Sequence, residues 1–149
     1  MDARSAYIAL NMIAGVGPVK VRAMIDALGS PQAILSADSE ALRGVRGIGP
    51  ELARRISEPD ERPDVSSEEK RARRVGARIV TFLDEEYPSR LREIHDPPLA
   101  LYVRGTLEPS DFHSIAIVGS RRTTLYGRTA ADRLAYQLAK AGLVVVSGL

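Results

Sequence analysis

The residues best suited to chemistry stand together in the stretch GSRRTT, which begins at Gly119 and follows the apolar segment SIAIV. Gly119 has no side chain, so a ligand can approach its backbone closely. Ser120 and Thr123 offer hydroxyl groups to the same turn. Arg121 and Arg122 add planar guanidinium groups, which match phosphate oxygens and can also stack on a base. The stretch therefore predicts a turn that binds an anion, phosphate above all.

A second apolar run, LVVVSGL, ends with Ser147 and Gly148 ahead of the last residue. Helical spacing in LYGRTAADRLAYQLAKAG, between the two runs, predicts a strand–helix–strand unit with parallel strands. Ligands of open parallel sheets bind beyond the carboxyl ends of the strands, so Ser147 and Gly148 should lie beside the first turn. The turn lacks the three-glycine spacing of a dinucleotide site and the Gly-Lys-Ser/Thr of a P-loop. The competing interpretation is that its two arginines merely occupy an exposed turn.

A glycine-rich motif occurs twice, as GVGPVKVR from Gly15 and as GIGPELAR from Gly47. Both copies resemble the helix-hairpin-helix motif, in which backbone N–H groups at a helix start bind a phosphate. Lys20 and Arg22 favour the first copy as the binder, and Glu51 argues against the second. A role in packing or in binding a protein partner is equally compatible with the pattern. The candidate phosphate contacts of the hairpins are Gly15, Gly17, Lys20, Arg22, Gly47 and Gly49.

The elements that must position these residues predict an α/β chain with two domains. Residues 1–57 are predicted to form a compact all-helical domain around the two hairpins. The acidic, proline-rich stretch 58–69 predicts a linker. Residues 70–149 are predicted to begin a parallel-sheet domain that is incomplete, because one crossover unit cannot cover both faces of its sheet.

Residues suited to helix caps and patterns of apolar residues predict where the individual helices and strands lie. The segments ARIVTFLD and LALYVRG are rich in β-branched residues and predict strands. A charged helix is expected to run through Val75, ahead of the first of these strands. The predicted N-caps of the short helices and of this charged helix are Ser30, Asp38 or Ser39, and Ser66 or Ser67.

Charge is segregated along the chain, although the formal net charge at pH 7 is only +2. Residues 58–69 carry six acidic side chains and one arginine, whereas residues 70–83 carry five basic side chains and no acidic ones. Such blocks are expected where one face meets an anion, and they also occur on ordinary solvated faces. No apolar stretch approaches the roughly 18 residues that a membrane span needs. We therefore expect a cytoplasmic protein without membrane contact.

No combination of residues predicts catalysis or a metal site. The sequence has no cysteine and only two histidines, which excludes disulfides and zinc–cysteine sites. Ser120 and Ser147 have no evident base beside them, and the acidic run 84–86 is typical of a solvated loop. We expect a binding protein that is not an enzyme and has no cofactor.

The order of these segments resembles the DprA (Smf) family of DNA-processing proteins. The resemblance is carried by the hairpin domain, by YPSRLREIHDPPLALYVRG (Tyr87–Gly105), by IAIVGSRRTTLYG and by LVVVSGL. It implies a Rossmann-like domain that binds single-stranded DNA in a basic pocket, without sequence preference. It also implies protection of incoming DNA in natural transformation, help in loading the recombinase RecA, and a homodimer formed through that domain.

The resemblance also implies roles for individual residues. Gly119, Ser120 and Arg121 correspond to the family's Gly-Ser/Thr-Arg turn, which contacts phosphate. Ser147, Gly148 and Leu149 correspond to the start of its next motif, and the resemblance covers only an N-terminal portion of such proteins.

Two other functions remain open from the residues. The first is a binder or processing enzyme of a phosphorylated nucleotide that uses the same turn. The second makes residues 1–57 a module that binds another protein. Competition by free nucleotides would distinguish the first, and deletion of the hairpin domain would distinguish the second.

Overall fold

The computed structural model describes residues 1–58, 62–107 and 113–148. The chain divides into two units, Met1–Thr106 and Leu107–Leu149. The first unit contains α1 Ala3–Met12, α2 Pro18–Leu28, α3 Pro31–Ser36, α4 Ser39–Arg43, α5 Pro50–Ser57, α6 Val65–Arg74, β1 Ala77–Thr81, α7 Ser89–Arg92 and β2 Ala100–Arg104. The second contains β3 Ser114–Ile117, α8 Leu125–Lys140 and β4 Val144–Ser147.

The five helices α1 to α5 form around the two hairpins, as the sequence predicts. Gly15 and Gly47 adopt φ angles of +88° and +87°, which side chains with a Cβ rarely adopt. Each is followed by an extended glycine N-cap and a proline at the first helical position. Ser30 caps α3 by accepting a hydrogen bond from the backbone N–H of Ala33, at 3.1 Å. Asp38 rather than Ser39 caps α4.

The apolar faces of α1 to α5 close on one core. Its fully buried side chains include Leu10, Met24, Ile34, Leu42 and Ile56, one from each helix. Burial of each large apolar side chain stabilises the fold by about 1.5–3 kcal/mol. This core fixes the positions from which both hairpins project.

α6, β1 and β2 pack against the hairpin helices instead of forming a separate domain. β1 and β2 pair antiparallel, with Ala77 opposite Arg104 at one end and Thr81 opposite Ala100 at the other. Ile8 of α1 is buried together with Ala72 of α6, Ile79 of β1 and Ala100. This arrangement differs from the predicted division at 58–69, because α1 has a second apolar side that only these later elements cover.

Arg4 of α1 connects its helix to α6, to β1 and to the loop after β1 through polar contacts. Its guanidinium donates to Glu69 of α6 at 2.7 Å and to the backbone oxygen of Ile79 in β1, also at 2.7 Å. A third contact, at 3.3 Å, reaches Asp84 in the loop after β1. One side chain of the first helix therefore contacts three residues that follow it in the chain by 65, 75 and 80 positions.

The segment between β1 and β2, part of the stretch that carries the family resemblance, is a packed loop. Tyr87 is buried, and its hydroxyl donates to the backbone oxygen of Pro98 at 2.8 Å. The guanidinium carbon of Arg92 lies 5.4 Å from the ring centres of both Phe82 and Tyr87. The contacts of Tyr87 with Pro98 and Arg92 therefore hold the loop that returns the chain to β2.

The helix α6 begins earlier than predicted. Its N-cap is Asp64, so the prediction of Ser66 or Ser67 as the cap was wrong. The Asp64 carboxylate accepts hydrogen bonds from the Ser67 hydroxyl, the Ser67 backbone N–H and the Ser66 hydroxyl, at 2.6, 3.1 and 2.8 Å. An ionised carboxylate accepts more donors than a hydroxyl, which is why the aspartate takes the cap. These hydrogen bonds hold the pKa of Asp64 well below its ordinary value of 3.8, and the bond from the Ser67 hydroxyl has the largest effect.

This cap predicts acid sensitivity. The folded pKa of Asp64 is lowered, so its contribution to stability is present above pH 3.8 and is lost as the pH falls below that value. Asparagine caps helices about as well as aspartate but carries no charge. We expect Asp64→Asn to lower the thermal unfolding midpoint at pH 7 and to leave it unchanged near the acid limit of folding. An equal difference at both pH values would contradict this assignment.

The second unit contains the predicted strand–helix–strand arrangement. β3 and β4 are parallel, with Ser114 opposite Val144 and Ile117 opposite Ser147. α8 connects them and is followed by Gly142 at a φ of +87°, as expected for the residue after a helix end. Among residues 113–148 none is buried, and Val146 is 51% exposed. The α/β class is therefore confirmed, while the Rossmann-like assignment remains a prediction.

Candidate nucleic-acid interface

The turn between β3 and α8 holds the predicted anion-binding residues at one edge of the parallel pair. Gly119 follows β3 by two residues, and Ser147 ends β4 directly opposite Ile117. Ser147 and Gly148 therefore leave the sheet at the same edge as the turn. Every residue from Val118 to Tyr126 is exposed, so the whole turn is open to a ligand.

Hydrogen bonds within the turn fix its backbone and the start of α8. The Ser120 hydroxyl oxygen accepts from the backbone N–H of Arg122 at 3.2 Å. Thr124 is the N-cap of α8, and its hydroxyl oxygen accepts from the backbone N–H of Gly127 at 3.1 Å. Thr123 donates its hydroxyl to the backbone oxygen of Thr124 at 2.9 Å. The Thr123 hydroxyl proton is thus engaged, whereas the Ser120 hydroxyl donates to none of the residues that the structure describes.

The guanidinium groups of Arg121 and Arg122 retain their donors. Both side chains are exposed, and within residues 1–58, 62–107 and 113–148 neither makes a hydrogen bond or ion pair. Arginines elsewhere, such as Arg4 and Arg55, are engaged by carboxylates or backbone oxygens. A guanidinium with free donors beside a helix start suits a phosphate, because the helix dipole and the cation attract the same charge.

The immediate surroundings of Gly119 and Gly148 do not require a glycine at either position. A Cβ built on either residue has no heavy atom within 4 Å. Neither has a φ in the left-handed region. Space for an approaching ligand is therefore the remaining advantage of a glycine at these two positions.

Both basic side chains of the first hairpin form hydrogen bonds with backbone oxygens. Lys20 donates to the backbone oxygen of Gly15 at 2.8 Å, folding back over its own turn. Arg22 donates to the backbone oxygen of His95 at 3.2 Å. Asp96 lines the same shallow depression as Gly15, Gly17 and Lys20, which places a carboxylate where a phosphate would lie. The Asp96 carboxylate therefore partly offsets the positive charge expected to favour this copy.

The second hairpin presents a carboxylate at its helix start. Glu51 accepts from Arg54 at 3.3 Å and from Arg55 at 3.2 Å, and these bonds hold its pKa below the ordinary value of 4.5. Arg55 also donates to the backbone oxygen of Ala14 at 2.9 Å, so it joins the two hairpins. Sequence reasoning missed this residue, because no local pattern distinguishes it from a solvated arginine of α5.

The part of the chain that the structure describes contains neither a candidate membrane span nor a candidate metal site. No helix there has both the length and the apolar character needed to cross a bilayer. No group of three or more histidine, cysteine, aspartate or glutamate residues stands close enough there to hold a metal ion.

Two family descriptions match consecutive parts of the chain. The family described as "DNA recombination-mediator protein A" matches residues 78–149, and the "SAM-like Helix-hairpin-helix tandem" matches residues 7–58. The second match agrees with the paired hairpins around Gly15 and Gly47, and the first includes the turn at Gly119.

Individual relatives share these segments. Protein Smf of Borreliella burgdorferi is 36% identical over 87 residues, which cover 56% of this chain and 27% of the relative. The DNA processing protein DprA of Bacillus subtilis is 35% identical over 78 residues, covering 52% of this chain and 26% of the relative. Protein Smf of Synechocystis is 26% identical over 147 residues, covering 96% of this chain and 37% of the relative. The chain thus spans only 26% to 37% of these relatives' lengths.

The fold and the turn define a class of protein in which tandem helical hairpins precede a parallel strand–helix–strand segment with a basic turn. Within that class, this chain is similar to the DprA (Smf) proteins.

Proposed function

We propose that this protein is a DNA recombination mediator that binds single-stranded DNA at the turn Gly119–Thr123. The observation that carries the proposal is the pair of exposed guanidinium groups, Arg121 and Arg122, which have no partner among the described residues. They lie at the carboxyl edge of the parallel strands and beside the N-terminus of the 16-residue helix α8. Fixed cations and backbone N–H groups contact the sugar-phosphate chain without reading its sequence.

Similarity to the DprA (Smf) proteins supports the wider role. In this proposal the protein protects incoming DNA during natural transformation, helps to load RecA, acts as a homodimer in the cytoplasm and is not an enzyme. The names of its relatives, which describe DNA processing, and the matched description of a recombination mediator support this role.

For the hairpins we propose packing rather than DNA contact. Lys20 and Arg22 donate to backbone oxygens, and Glu51 places a negative charge at the second helix start. Arg55 bridges the two copies through Ala14. A DNA phosphate would have to displace these contacts or approach a carboxylate.

Fluorescence anisotropy with a labelled single-stranded oligonucleotide tests the proposed function. We expect binding that weakens with salt, with a slope of about −0.7 for each phosphate contacted. A free mononucleotide at the same phosphate concentration should not compete. Effective competition by the mononucleotide would instead identify the turn as a nucleotide site, and an absence of binding at low salt would refute the proposal.

Gly119→Ala tests whether the open space at the turn serves a ligand. The alanine meets no neighbour within 4 Å, and Gly→Ala at a compatible φ stabilises a protein by about 0.4–1 kcal/mol. We therefore expect unchanged or higher stability together with weaker DNA binding, measured by thermal unfolding and anisotropy. Gly29→Ala is an unsuitable control because its φ is +92°, and Gly17 is itself a candidate contact of the first hairpin, so thermal unfolding of Gly119→Ala serves as the control for folding. Equal affinity of the wild type and Gly119→Ala would contradict a close approach at this glycine.

A further inference from the structure

A second basic surface lies in the first unit, along the C-terminal half of α6 and the end of β2. Tyr102 and Arg104 are two residues apart on β2, so their side chains leave the same face of the strand. Tyr102 stands opposite Ile79, which is buried together with Ala72 of α6. The Arg104 Nε atom lies 3.9 Å from the position that a Cβ on Gly76 would take, just after α6 ends. Both side chains therefore run beside α6.

The ring of Tyr102 is held in place while half of it stays exposed. Its hydroxyl donates to Glu68 Oε1 at 2.9 Å, and Glu68 Oε2 accepts from Arg71 at 2.7 Å and 2.9 Å. The tyrosine is 49% exposed. Partial burial, and then the Glu68 carboxylate, raise the pKa of Tyr102 to about 12. The phenol is therefore neutral at ordinary pH and does not repel a phosphate.

Two cations, one on α6 and one on β2, have no partner among the described residues. Arg74 and Arg104 are exposed, and neither side chain makes a hydrogen bond or ion pair with a residue that the structure describes. The dipole of α6 alone favours a cation in the last turn by about 0.3–1 kcal/mol, which is one reason for an arginine at position 74. It does not account for Arg104, which comes from a strand. Arg71 and Arg74 belong to the block 70–83, which has five basic and no acidic side chains.

We propose that the surface formed by Arg71, Arg74, Tyr102 and Arg104 binds a segment of single-stranded nucleic acid. The Tyr102 ring stacks on an unpaired base, and the arginines contact the adjoining phosphates. An aromatic ring between cations is the arrangement by which proteins bind unpaired strands with little sequence preference. The ligand class rests on the proposed function, but the surface shares no residue with the turn at Gly119–Thr123.

Removal of the ring tests the stacking half. Anisotropy is measured with labelled oligothymidylate and with an abasic deoxyribose-phosphate strand of the same length. We expect Tyr102→Ala to weaken oligothymidylate binding at least about fivefold, the lower limit for loss of one stacked base. Tyr102→Phe keeps the ring and should bind oligothymidylate nearly as well as the wild type. Thermal unfolding of both variants verifies that they fold.

The abasic strand separates stacking from a general loss of structure. It has no base to stack, so Tyr102→Ala should bind it as the wild type does. Unchanged oligothymidylate affinity in Tyr102→Ala, or an equal loss on both strands, would overturn the stacking assignment.

Removal of the cations tests the phosphate half. We expect Arg74→Ala combined with Arg104→Ala to reduce the salt slope of binding by about 1.4, from two phosphate contacts. The matched control combines Arg43→Ala with Arg46→Ala. Arg43, like Arg74, is an exposed arginine in the last turn of a short helix. An unchanged slope, or the same change in the control, would overturn the phosphate contacts.

The two proposals fail in different ways. If the wild type binds single strands and loses affinity when the turn at Arg121 is altered, but not when Tyr102, Arg74 or Arg104 is altered, this second surface is refuted and the proposed function stands. If the wild type binds no single strand, both are refuted.

Discussion

Replacing Arg121 and Arg122 together by alanine is expected to weaken single-stranded DNA binding by about 10- to 100-fold. A hydrogen bond to a charged group contributes about 1.5–3 kcal/mol, and about 1.4 kcal/mol corresponds to a tenfold change in affinity. Neither side chain has a partner among the described residues, so their removal leaves no group of the protein unsatisfied. Stability should therefore stay the same while affinity falls. Anisotropy across a salt series and thermal unfolding measure the two quantities.

Arg133→Ala combined with Lys140→Ala is the matched control. It removes the same charge from exposed positions of α8, away from the turn. We expect it to reduce affinity only slightly, through the weaker overall field of the protein. If the control loses as much affinity as the arginine pair, long-range charge rather than the turn holds the DNA.

Ile8→Ala is expected to destabilise the whole first unit by about 2–5 kcal/mol, the usual cost of such a truncation in a core. Ile8 is 1% exposed and is buried with Ala72, Ile79 and Ala100. The cavity would thus open between α1 and the later elements α6, β1 and β2. Chemical denaturation should show one earlier transition, and native-state hydrogen exchange should quicken in α2 and β1 alike.

Val19→Ala controls for the loss of side-chain volume. Val19 lies on α2 and is 56% exposed, so its truncation should change stability by less than about 0.5 kcal/mol. Faster exchange in the strands with unchanged exchange in α2 would contradict a single unit. In that case the predicted boundary at 58–69 would be the better description.

Local sequence patterns predicted most of the secondary structure because its causes are local. Positive φ at Gly15 and Gly47, and the cap at Ser30, each depend on residues within one helical turn. The missed cap at Asp64 shows the limit of such patterns. Three residues with capping side chains stand within four positions there, and only their hydrogen bonds identify the acceptor.

Long-range packing could not be predicted in the same way. The contacts of Arg4 with Glu69 and Asp84 join residues 65 and 80 positions apart, and no periodicity within α1 encodes them. The acidic stretch 58–69 therefore predicts a linker, although α6 begins within it at Val65. A stretch rich in proline and charge predicts a surface position, but not that the elements on either side are separate.

In the candidate site too, the features set by local sequence were predicted and those set by long-range packing were not. The composition of the turn and its place at the sheet edge followed from the apolar runs and from the order of Gly119, Ser120 and Arg121. The hydrogen bonds of Lys20 and Arg22 to backbone oxygens could not be predicted from the sequence, because the fold determines which acceptors lie near these side chains. Tyr102 was also missed, since a tyrosine in an apolar strand is ordinarily a packing residue.

The burial of Leu99 in the core of the hairpin helices has a consequence for synthesis of the protein. A nascent chain that has left the ribosome only as far as α5 lacks a side chain that its own core requires. At about 5–20 residues per second, translation from Ser57, the end of α5, to Leu99 takes about 2–8 s. Until then the apolar sides of the early helices remain accessible to chaperones.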